Sequence, residues 1–284
     1  MEGKSYIDDE NLADFSAYID EDMQVDLVRT FFHGIGALDD GGAPVGALVF
    51  ELKNSESEKD TQSRIQLLKY ENDQVLKRLL EEYKRAVSDE NVAESYYESS
   101  DRYMAECLEE NGFSRESAES LDIVVSIADI KGLIDTFKIS GVPDYILPLS
   151  GIFVKEYRAF VKKCLSKGTL GLVDDLAYLS MSWFEEDISS YSVADDKVDG
   201  YLLMKEMPSG LLHVLLYISF GPQYQKNLVF MMVRTAMKIV EDYPEDTRVV
   251  IRRHNDAVKK LTDRLFAGCK GEQVYKGKRT EKSG

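Results

Sequence analysis

Hydrophobic and polar positions along the first half of the chain follow two different periods. Alternating or unbroken apolar runs, typical of strands, cover 33–52, 63–70, 93–99 and 121–130. Apolar residues at a spacing of three to four, typical of amphipathic helices, cover 8–26, 74–87 and 101–113. The pattern therefore predicts strands and helices that alternate along the chain.

Turn and cap residues set the predicted ends of these elements. The string DDGGAP at 39–44 separates two apolar runs and predicts a β-hairpin over 33–52. Asn72 or Asp73 is placed to cap the helix that begins near 74, and Gly112 is placed to stop the helix over 101–113.

The second half repeats the same order of elements. Its predicted helices are 151–165, 172–184, 228–240 and 255–266. Its predicted strands are 189–196, 199–207, 211–220, 247–253 and 272–278. Such a repeat indicates a duplication, and the segment 131–151 is the candidate junction because it holds two of the six prolines. We therefore predict domains at 1–135 and 145–284.

The predicted fold class is α/β, of the mixed α+β kind. A hairpin and further strands come first in each half, and strands and helices then alternate. That order favours a mixed, mostly antiparallel sheet flanked by helices in each domain.

Composition narrows the possible partners and the compartment. The net charge of −16 disfavours nucleic acid and anionic lipid as partners. Cys107, Cys164 and Cys269 are too widely spaced for a metal motif, so no metal is expected, and a reducing, cytoplasmic compartment is predicted. The chain starts without an apolar signal segment and its longest apolar runs have strand length, so no membrane span is expected.

The segment 217–240, YISFGPQYQKNLVFMMVRTAMKIV, carries the main chemical signal. An apolar strand, a short Gly-Pro loop and a helix follow one another, which is how many proteins place backbone N–H groups around a phosphate. Lys226 adds a positive charge near the start of this helix. His33, His213 and His254 are scattered, and each is more often a packing residue than a base.

The element order, together with two short strings, resembles the GNAT superfamily of N-acyltransferases, present twice in tandem. The string ECLEENGF at 106–113 looks like the late helix of that superfamily, which usually ends in Gly-Phe. The string NDAVKKL at 255–261 looks like the start of the same helix in the second half. The resemblance implies two tandem GNAT-like domains that span nearly the whole chain.

The resemblance implies acetyl-CoA or another acyl-CoA as cofactor, held between the fourth and fifth strands of a unit. The pyrophosphate would rest on the loop that opens the next helix, where the family has Gln/Arg-x-x-Gly-x-Gly/Ala. This sequence has QYQKNL at 223–228, with Lys226 and Leu228 at the small-residue positions. The implied cofactor-binding residues are Tyr217, Ile218, Ser219, Phe220, Gln223, Lys226 and Asn227. In the first half, the loop within 69–77 has no glycine, and we predict that it binds no CoA.

No catalytic residue is assigned. Leu108 and Thr262 occupy the late-helix positions where the family often places a Tyr general acid, and neither is an acid at neutral pH. Tyr217, Tyr224 and Tyr275 are the alternatives in the second half, although a Tyr on a half-buried strand is usually a packing residue.

Two functions of different class remain open. The first is an acyl-CoA-dependent N-acyltransferase that transfers an acyl group to a small-molecule or peptide amine, with a strand N–H to stabilise the oxyanion. The second is a catalytically inactive binding or scaffold module, with a protein partner or a second copy of the chain as its ligand. The departures at Lys226, Leu228 and Thr262 favour the second, and the strand-loop-helix segment favours the first.

Overall fold

The computed structural model describes residues 4–27, 31–53, 61–137, 141–166, 179–253 and 256–281. These residues form two compact units, each built on its own β-sheet. One unit comprises Met1–Ser120 with Gln273–Gly284, and the other comprises Leu121–Glu272. We refer to them as the first and second units.

Within the described residues, thirteen strands make up the two sheets. They are β1 (Lys4–Ile7), β2 (Phe32–Leu38), β3 (Pro44–Lys53), β4 (Thr61–Tyr70), β5 (Val92–Ser99), β6 (Glu116–Glu119), β7 (Asp122–Ser126), β8 (Ile146–Pro148), β9 (Ser190–Ala194), β10 (Lys197–Glu206), β11 (Leu212–Ser219), β12 (Arg248–Arg252) and β13 (Gln273–Thr280). The described α-helices are α1 (Glu21–Leu27), α2 (Asp73–Asp89), α3 (Arg102–Glu110), α4 (Ile127–Phe137), α5 (Val154–Ser166), α6 (Tyr224–Asp242) and α7 (Asp256–Leu265).

The sheet of the first unit has the order β1-β2-β3-β4-β5-β13-β6. Its neighbouring strands are antiparallel except β4 and β5, which are parallel and are joined through α2. The side chain of Asn72 caps α2 by accepting hydrogen bonds from the backbone N–H groups of Gln74 and Val75, each at 3.1 Å. This cap confirms the sequence prediction for the helix start.

The sheet of the second unit has the order β7-β12-β11-β10-β9-β8 and repeats the same design. Only β11 and β12 are parallel, and α6 connects them. The predicted fold class, a mixed and mostly antiparallel sheet flanked by helices in each half, is therefore confirmed.

The chain passes from the first unit to the second and returns to the first for its last strand. After β6 the chain leaves the first sheet, and β7 pairs with β12 in the second sheet. The last strand, β13, returns to the first sheet and lies between β5 and β6. A Cβ at Gly277 of β13 would lie 1.9 Å from the carbonyl oxygen of Ser114, so this strand fits its place only because Gly277 has no side chain.

The division into units differs from the predicted domains 1–135 and 145–284. The structure divides the chain at Ser120, and it places 273–284 with the first unit. The predicted strand over 121–130 is also too long, because β7 ends at Ser126 and α4 begins at Ile127. The Ser126 hydroxyl and the Asp129 carboxylate hydrogen bond at 2.6 Å and each accepts from the other's backbone N–H, a capping box that starts the helix.

The predicted helix over 151–165 begins later in the structure than the sequence predicts. Phe153, expected on the buried face of the helix over 151–165, is 75% exposed because α5 begins only at Val154. The predicted helix over 172–184 lies largely outside the described residues, and its end forms a short 3-10 turn at Met181–Trp183. Among the described residues, no helix combines the length and apolar character needed to cross a bilayer.

Candidate functional site

In each unit the two parallel strands pair over only part of their length. In the second unit, β11 pairs with β12 from Leu212 to Val214 and no further. In the first unit, β4 pairs with β5 from Thr61 to Ile65, although β4 continues to Tyr70. The ends of β4 and β11 therefore carry backbone groups outside the parallel ladder, at the edge from which α2 and α6 start.

A β-bulge lies at the point where each parallel pair stops. In the second unit, Leu203 and Met204 of β10 pair with Leu216 and Val214 of β11, so Leu215 is an extra residue. In the first unit the corresponding extra residue of β4 is Gln66. A bulge turns the local backbone and interrupts pairing, and bulges are common beside functional sites.

The bulge at Leu215 reverses the side-chain alternation of β11. Val214 and Tyr217 face the core cluster that contains α6, and Leu216 and Ile218 face the opposite cluster, which contains α5. Val214 and Tyr217, which share one face, are separated by three positions across the bulge instead of two. The strand thus contributes buried side chains to both layers at the same point where its backbone leaves the ladder.

The loop that follows β11 holds its backbone in a defined turn. The Phe220 N–H donates to the carbonyl of Asp199 at 2.7 Å, and Gly221 has a φ of +83°, which favours glycine. The helix α6 then begins at Tyr224, with no side-chain hydrogen bond from Gln223 to its first N–H groups and no acidic residue in its first turn. The first turn of α6 thus has no acidic residue of its own, although the Asp199 carboxylate lies 3.9 Å from the position that a Cβ at Gly221 of the loop would take.

A buried polar cluster fixes the first turn of α6 to the sheet. The Asn227 side-chain amide, only 2% exposed, donates to the Asp199 carboxylate at 3.0 Å and to the Ser219 hydroxyl at 3.3 Å. The Asp199 carboxylate also accepts from the Ser192 hydroxyl at 2.5 Å. These bonds tie β9, β10, β11 and α6 together beneath the loop, and they hold its backbone in one place.

The structure brings the seven predicted cofactor residues to one end of the second sheet, although their side chains differ in direction. The Tyr217 side chain is fully buried, its hydroxyl donates to the Leu228 carbonyl, and burial raises its pKa well above the usual value. Ile218 is buried in the core, and Phe220 lies under the Lys163 ammonium at 4.7 Å. The Tyr217 hydroxyl is already used and Ile218 and Phe220 have apolar side chains, so these three residues can offer a ligand only their backbone groups.

Of the four remaining predicted residues, two have hydrogen-bonded side chains beneath the loop and two have exposed side chains. The side chains of Ser219 and Asn227 belong to the buried polar cluster beneath the loop. Gln223 and Lys226 are exposed at the start of α6. Lys226 is thus a positive side chain at the start of α6, and the Lys163 ammonium lies over Phe220 of the same loop.

The corresponding loop of the first unit is short and acidic. Only Glu71 and Asn72 separate β4 from α2, and the Asn72 side chain already occupies the first N–H groups of the helix. The Glu71 carboxylate accepts a hydrogen bond from the Tyr18 hydroxyl at 2.7 Å, and Asp73 is the first helical residue. A phosphate would meet two carboxylates here, and two of the helix's N–H donors are already used by Asn72. That this unit binds no CoA stays a prediction.

Aromatic side chains occupy the free end of β4 in the first unit. The Tyr70 hydroxyl and the Cys107 sulfur of α3 are 2.5 Å apart, and the Tyr70 ring stacks on Tyr103 at 5.7 Å between centroids. Burial, followed by the contact with Cys107, raises the pKa of Tyr70. These contacts link the end of β4 to α3.

The candidate catalytic residues gain no support. Leu108 and Thr262 are fully buried, and the Thr262 hydroxyl donates within α7 to the carbonyls of Val258 and Lys259. Tyr275 was grouped with the second half, but it lies on β13 in the first sheet, between Ser99 and Ser117. Tyr224, at the start of α6, is 37% exposed.

The two histidines among the described residues, His33 and His213, lie in different units. His33 stacks on Phe50 at 5.3 Å, and burial lowers its pKa. His213 lies on β11 within the paired part of the ladder, and His254 lies outside the described residues. No catalytic residue is therefore assigned.

Sequence analysis missed Asp199 and the bulge at Leu215. Asp199 follows a tight hairpin turn in which Asp195 and Asp196 have φ values of 50° and 58°, and it precedes Gly200. An aspartate beside a glycine in an otherwise apolar strand was the available signal, because a carboxylate there needs a buried donor. The bulge has no comparable signal, since LLHVLLYIS is apolar throughout except at His213 and its end.

Comparisons with known proteins bear on the fold. No protein-family model matches the chain, and no curated protein matches it. Among solved structures, a tandem GNAT protein from the clavulanic acid biosynthesis pathway is similar over 98% of this chain and 99% of its own, with a TM-score of 0.66 and 12% identity. A probable N-acyltransferase from Enterococcus faecalis covers 99% of this chain and 73% of its own, with a TM-score of 0.57 and 11% identity.

A third similar structure is the N-myristoyltransferase of Saccharomyces cerevisiae with bound myristoyl-CoA. It covers 99% of this chain and 79% of its own, with a TM-score of 0.60 and 10% identity. At identities of this size the likeness shows the fold alone. The chain has the fold of GNAT acetyltransferases in tandem, as its element order and motifs predict.

Proposed function

We propose that the second unit is an acyl-CoA-dependent N-acyltransferase site and that the first unit is structural. The observation that carries the proposal is the end of β11, where a bulge, a strand edge outside the parallel ladder and an uncapped helix start occur together. The first unit has the same bulge and strand edge, but there the Asn72 side chain occupies the N–H groups at the helix start and Glu71 accepts from Tyr18.

The residues of the second unit fit an acyl-CoA. The backbone at the start of α6 and the Lys226 ammonium would hold the pyrophosphate, because the helix dipole and the positive charge both favour an anion. The N–H groups of Phe220 and Tyr224 would take no part, since each already donates to a backbone carbonyl. The backbone of 215–219, outside the ladder to β12, would pair with the amides of the pantetheine arm. When bound, the acyl-CoA supplies an activated thioester carbonyl.

The chemistry needed from the protein is limited. A neutral amine, on a small molecule or a peptide, attacks the carbonyl, and a backbone N–H at the bulge stabilises the developing oxyanion. Rigid support by the Asp199–Asn227 cluster positions these donors before the reaction. The reaction then depends on positioning more than on a side-chain acid. The cytoplasmic location stays a prediction from the three cysteines.

A second candidate function has its own support. Thr262 is buried and its hydroxyl is used inside α7, so the late helix offers no general acid at the family position. A catalytically inactive module, which binds a protein partner or a second copy of the chain, remains the alternative. Binding of an acyl-CoA at the loop before α6 would favour the acyltransferase over the inactive module.

The test is thermal unfolding with and without CoA and acetyl-CoA, with ATP as a nucleotide control. A ligand at a hundredfold excess over its Kd stabilises the native state by about 2.7 kcal/mol, which raises Tm by a few degrees in a chain of this size. We expect Lys226→Glu to abolish the shift, because it puts a negative charge beside the pyrophosphate.

The matched control is Lys77→Glu, the same charge change on the exposed side of α2 in the first unit. It should leave the shift unchanged. No shift with either CoA compound would refute the proposal. Equal loss in both variants would assign the effect to overall charge instead of to the second loop.

A further inference from the structure

The second unit contains a large apolar cavity. Its volume is about 560 Å³, and it lies between the sheet and the helices α4, α6 and α7. The cavity opens to solvent on one side, where the exposed residues Gly141, Val229 and Arg264 are part of its lining. Its volume lies within the range of about 300–1,000 Å³ that is usual for small-molecule pockets.

The walls of the cavity are suited to an apolar ligand. Leu202, Met204, Ile251 and Phe266 are among the buried side chains that line it. The hydroxyls of Tyr217 and Thr235 also lie in the wall, but they donate to the carbonyls of Leu228 and Ile188. Apart from Arg264, an exposed residue of α7 that also lines the cavity, a polar ligand would find donors that are already used, whereas a hydrocarbon chain would contact mainly apolar side chains.

The cavity adjoins the proposed cofactor site. Val214 and Tyr217, which line it, flank the bulge at Leu215, and Ile251 lies opposite Val214 where the parallel pairing stops. Along α6 the lining extends from Val229 to Ile239, about 15 Å of helix. The helix that offers its N-terminus to the pyrophosphate therefore also forms a wall of the cavity.

The first unit shows how this space can be filled. The buried face of α2 carries Val75, Leu79, Tyr83 and Val87, and the buried face of α6 carries Asn227, Met231, Thr235 and Ile239 at the same spacing. Tyr83 is fully buried beneath α2 and its hydroxyl reaches Ser63 and Ser95 of the sheet, at 2.9 and 2.8 Å. The matching residue Thr235 is much smaller, and it leaves room between α6 and the sheet.

From this geometry we infer that the cavity holds the hydrocarbon chain of a fatty acyl-CoA, so that the preferred acyl group is longer than acetyl. The inference rests on the proposed function, since the thioester must lie at the bulge for its chain to enter beside Val214 and Tyr217. Burial of the chain removes apolar surface from water, which tightens binding by on the order of fourfold for each methylene group that enters.

The experiment is isothermal titration of the full chain with CoA, acetyl-CoA and octanoyl-CoA. We expect octanoyl-CoA to bind at least about tenfold more tightly than acetyl-CoA, since several of its methylene groups enter the cavity. In Ala236→Phe, which places a ring in the cavity, octanoyl-CoA should bind no more tightly than acetyl-CoA, and the Kd of acetyl-CoA should not change. Ala236 lines the cavity and is 8% exposed.

The matched control is Met237→Phe, the next residue of α6, which is 40% exposed and does not line the cavity. It should keep the preference for octanoyl-CoA. If Ala236→Phe does not fold, as judged by its thermal transition, the smaller change Ala236→Leu is used, with a partial loss of preference expected.

The possible failures are distinct. Equal affinity for acetyl-CoA and octanoyl-CoA overturns the chain-length inference and leaves the proposed function standing. An unchanged preference in the filled-cavity variant also overturns it, because the chain then lies elsewhere. A protein that binds none of the three compounds overturns the proposed function and the inference together.

Discussion

The two units share a scaffold and differ in the loop between their fourth strand and the helix that follows it. In the first unit the loop is Glu71–Asn72, and the Asn72 side chain caps α2. In the second unit the loop extends from Phe220 to Gln223, turns at Gly221, and leads into α6 without a side-chain cap. The same arrangement of strand, bulge and helix therefore has a side-chain-capped helix start in the first unit and an uncapped helix start in the second.

The two loops differ in the residues that lie beside the helix N-terminus, although the scaffold around them is the same. A helix N-terminus attracts anions through its N–H groups and dipole, and both units possess one. Asn72 supplies an internal acceptor in place of an external one, and Glu71 and Asp73 add negative charge. Both units therefore have a helix N-terminus at this place, and two or three loop residues set how many of its N–H groups are left for an external anion.

The first prediction tests the support beneath the open loop and has the largest expected effect. Asn227→Val installs the residue that the first unit has at the matching position, Val75. It leaves the Asp199 carboxylate and the Ser219 hydroxyl without their amide donor, and we expect a loss of about 1–3 kcal/mol in the free energy of unfolding. Urea denaturation measures it.

The control for this change is Gln225→Val, an exposed position in the same helical turn. Its expected effect is within about 0.5 kcal/mol, as for most surface substitutions. Similar losses for both variants would mean that the β-branched side chain, and not the polar cluster, accounts for the effect.

The second prediction compares the two helix starts directly. Asn72→Ala removes a side-chain cap and should cost about 1 kcal/mol of stability, whereas Gln223→Ala removes none and should stay within about 0.5 kcal/mol. Denaturant midpoints of the two single variants measure the difference. Equal costs would contradict the contrast between a capped and an uncapped helix.

The third prediction concerns the acidic loop of the first unit. Burial and the hydrogen bond to Glu71 raise the pKa of Tyr18 to about 12. Because the folded-state pKa lies above the unfolded value of about 10, the stabilisation is fully present below pH 10 and is lost as pH rises through about 12. Glu71→Gln removes the negative charge, and it should lower the pKa of Tyr18 toward 10.

An ultraviolet difference titration between wild type and Glu71→Gln isolates this one tyrosine from the sixteen in the chain. Tyr18→Phe is the control, since it should remove the same high-pH component altogether. Identical titration curves for the wild type and Glu71→Gln would show that Glu71 does not act on Tyr18.

Much of the fold is accessible from the sequence because its signals are local. The turn at 39–44, the cap at Asn72 and the periodicity of α2 each depend on neighbouring residues, and each is found where it was predicted. The candidate site was located for the same reason, since a strand, a Gly-Pro loop and a helix occur together at 217–240. The error at 121–130 arose because an apolar run continues from β7 into α4 across the capping box.

The sequence by itself determined the type and order of most elements, the duplicated plan and the place of the second loop, but it did not predict β1, β6, β8 or α4. Tertiary structure alone decided that β7 and β13 exchange sheets, that Leu215 is the bulged residue, and that Asp199 meets Asn227. It also decided that Thr235 lines a cavity beneath α6, whereas Tyr83 on the buried face of α2 bonds to Ser63 and Ser95 of the first sheet. Periodicity reports which face of an element is buried, but strand partners and the space between layers depend on residues far apart in the chain.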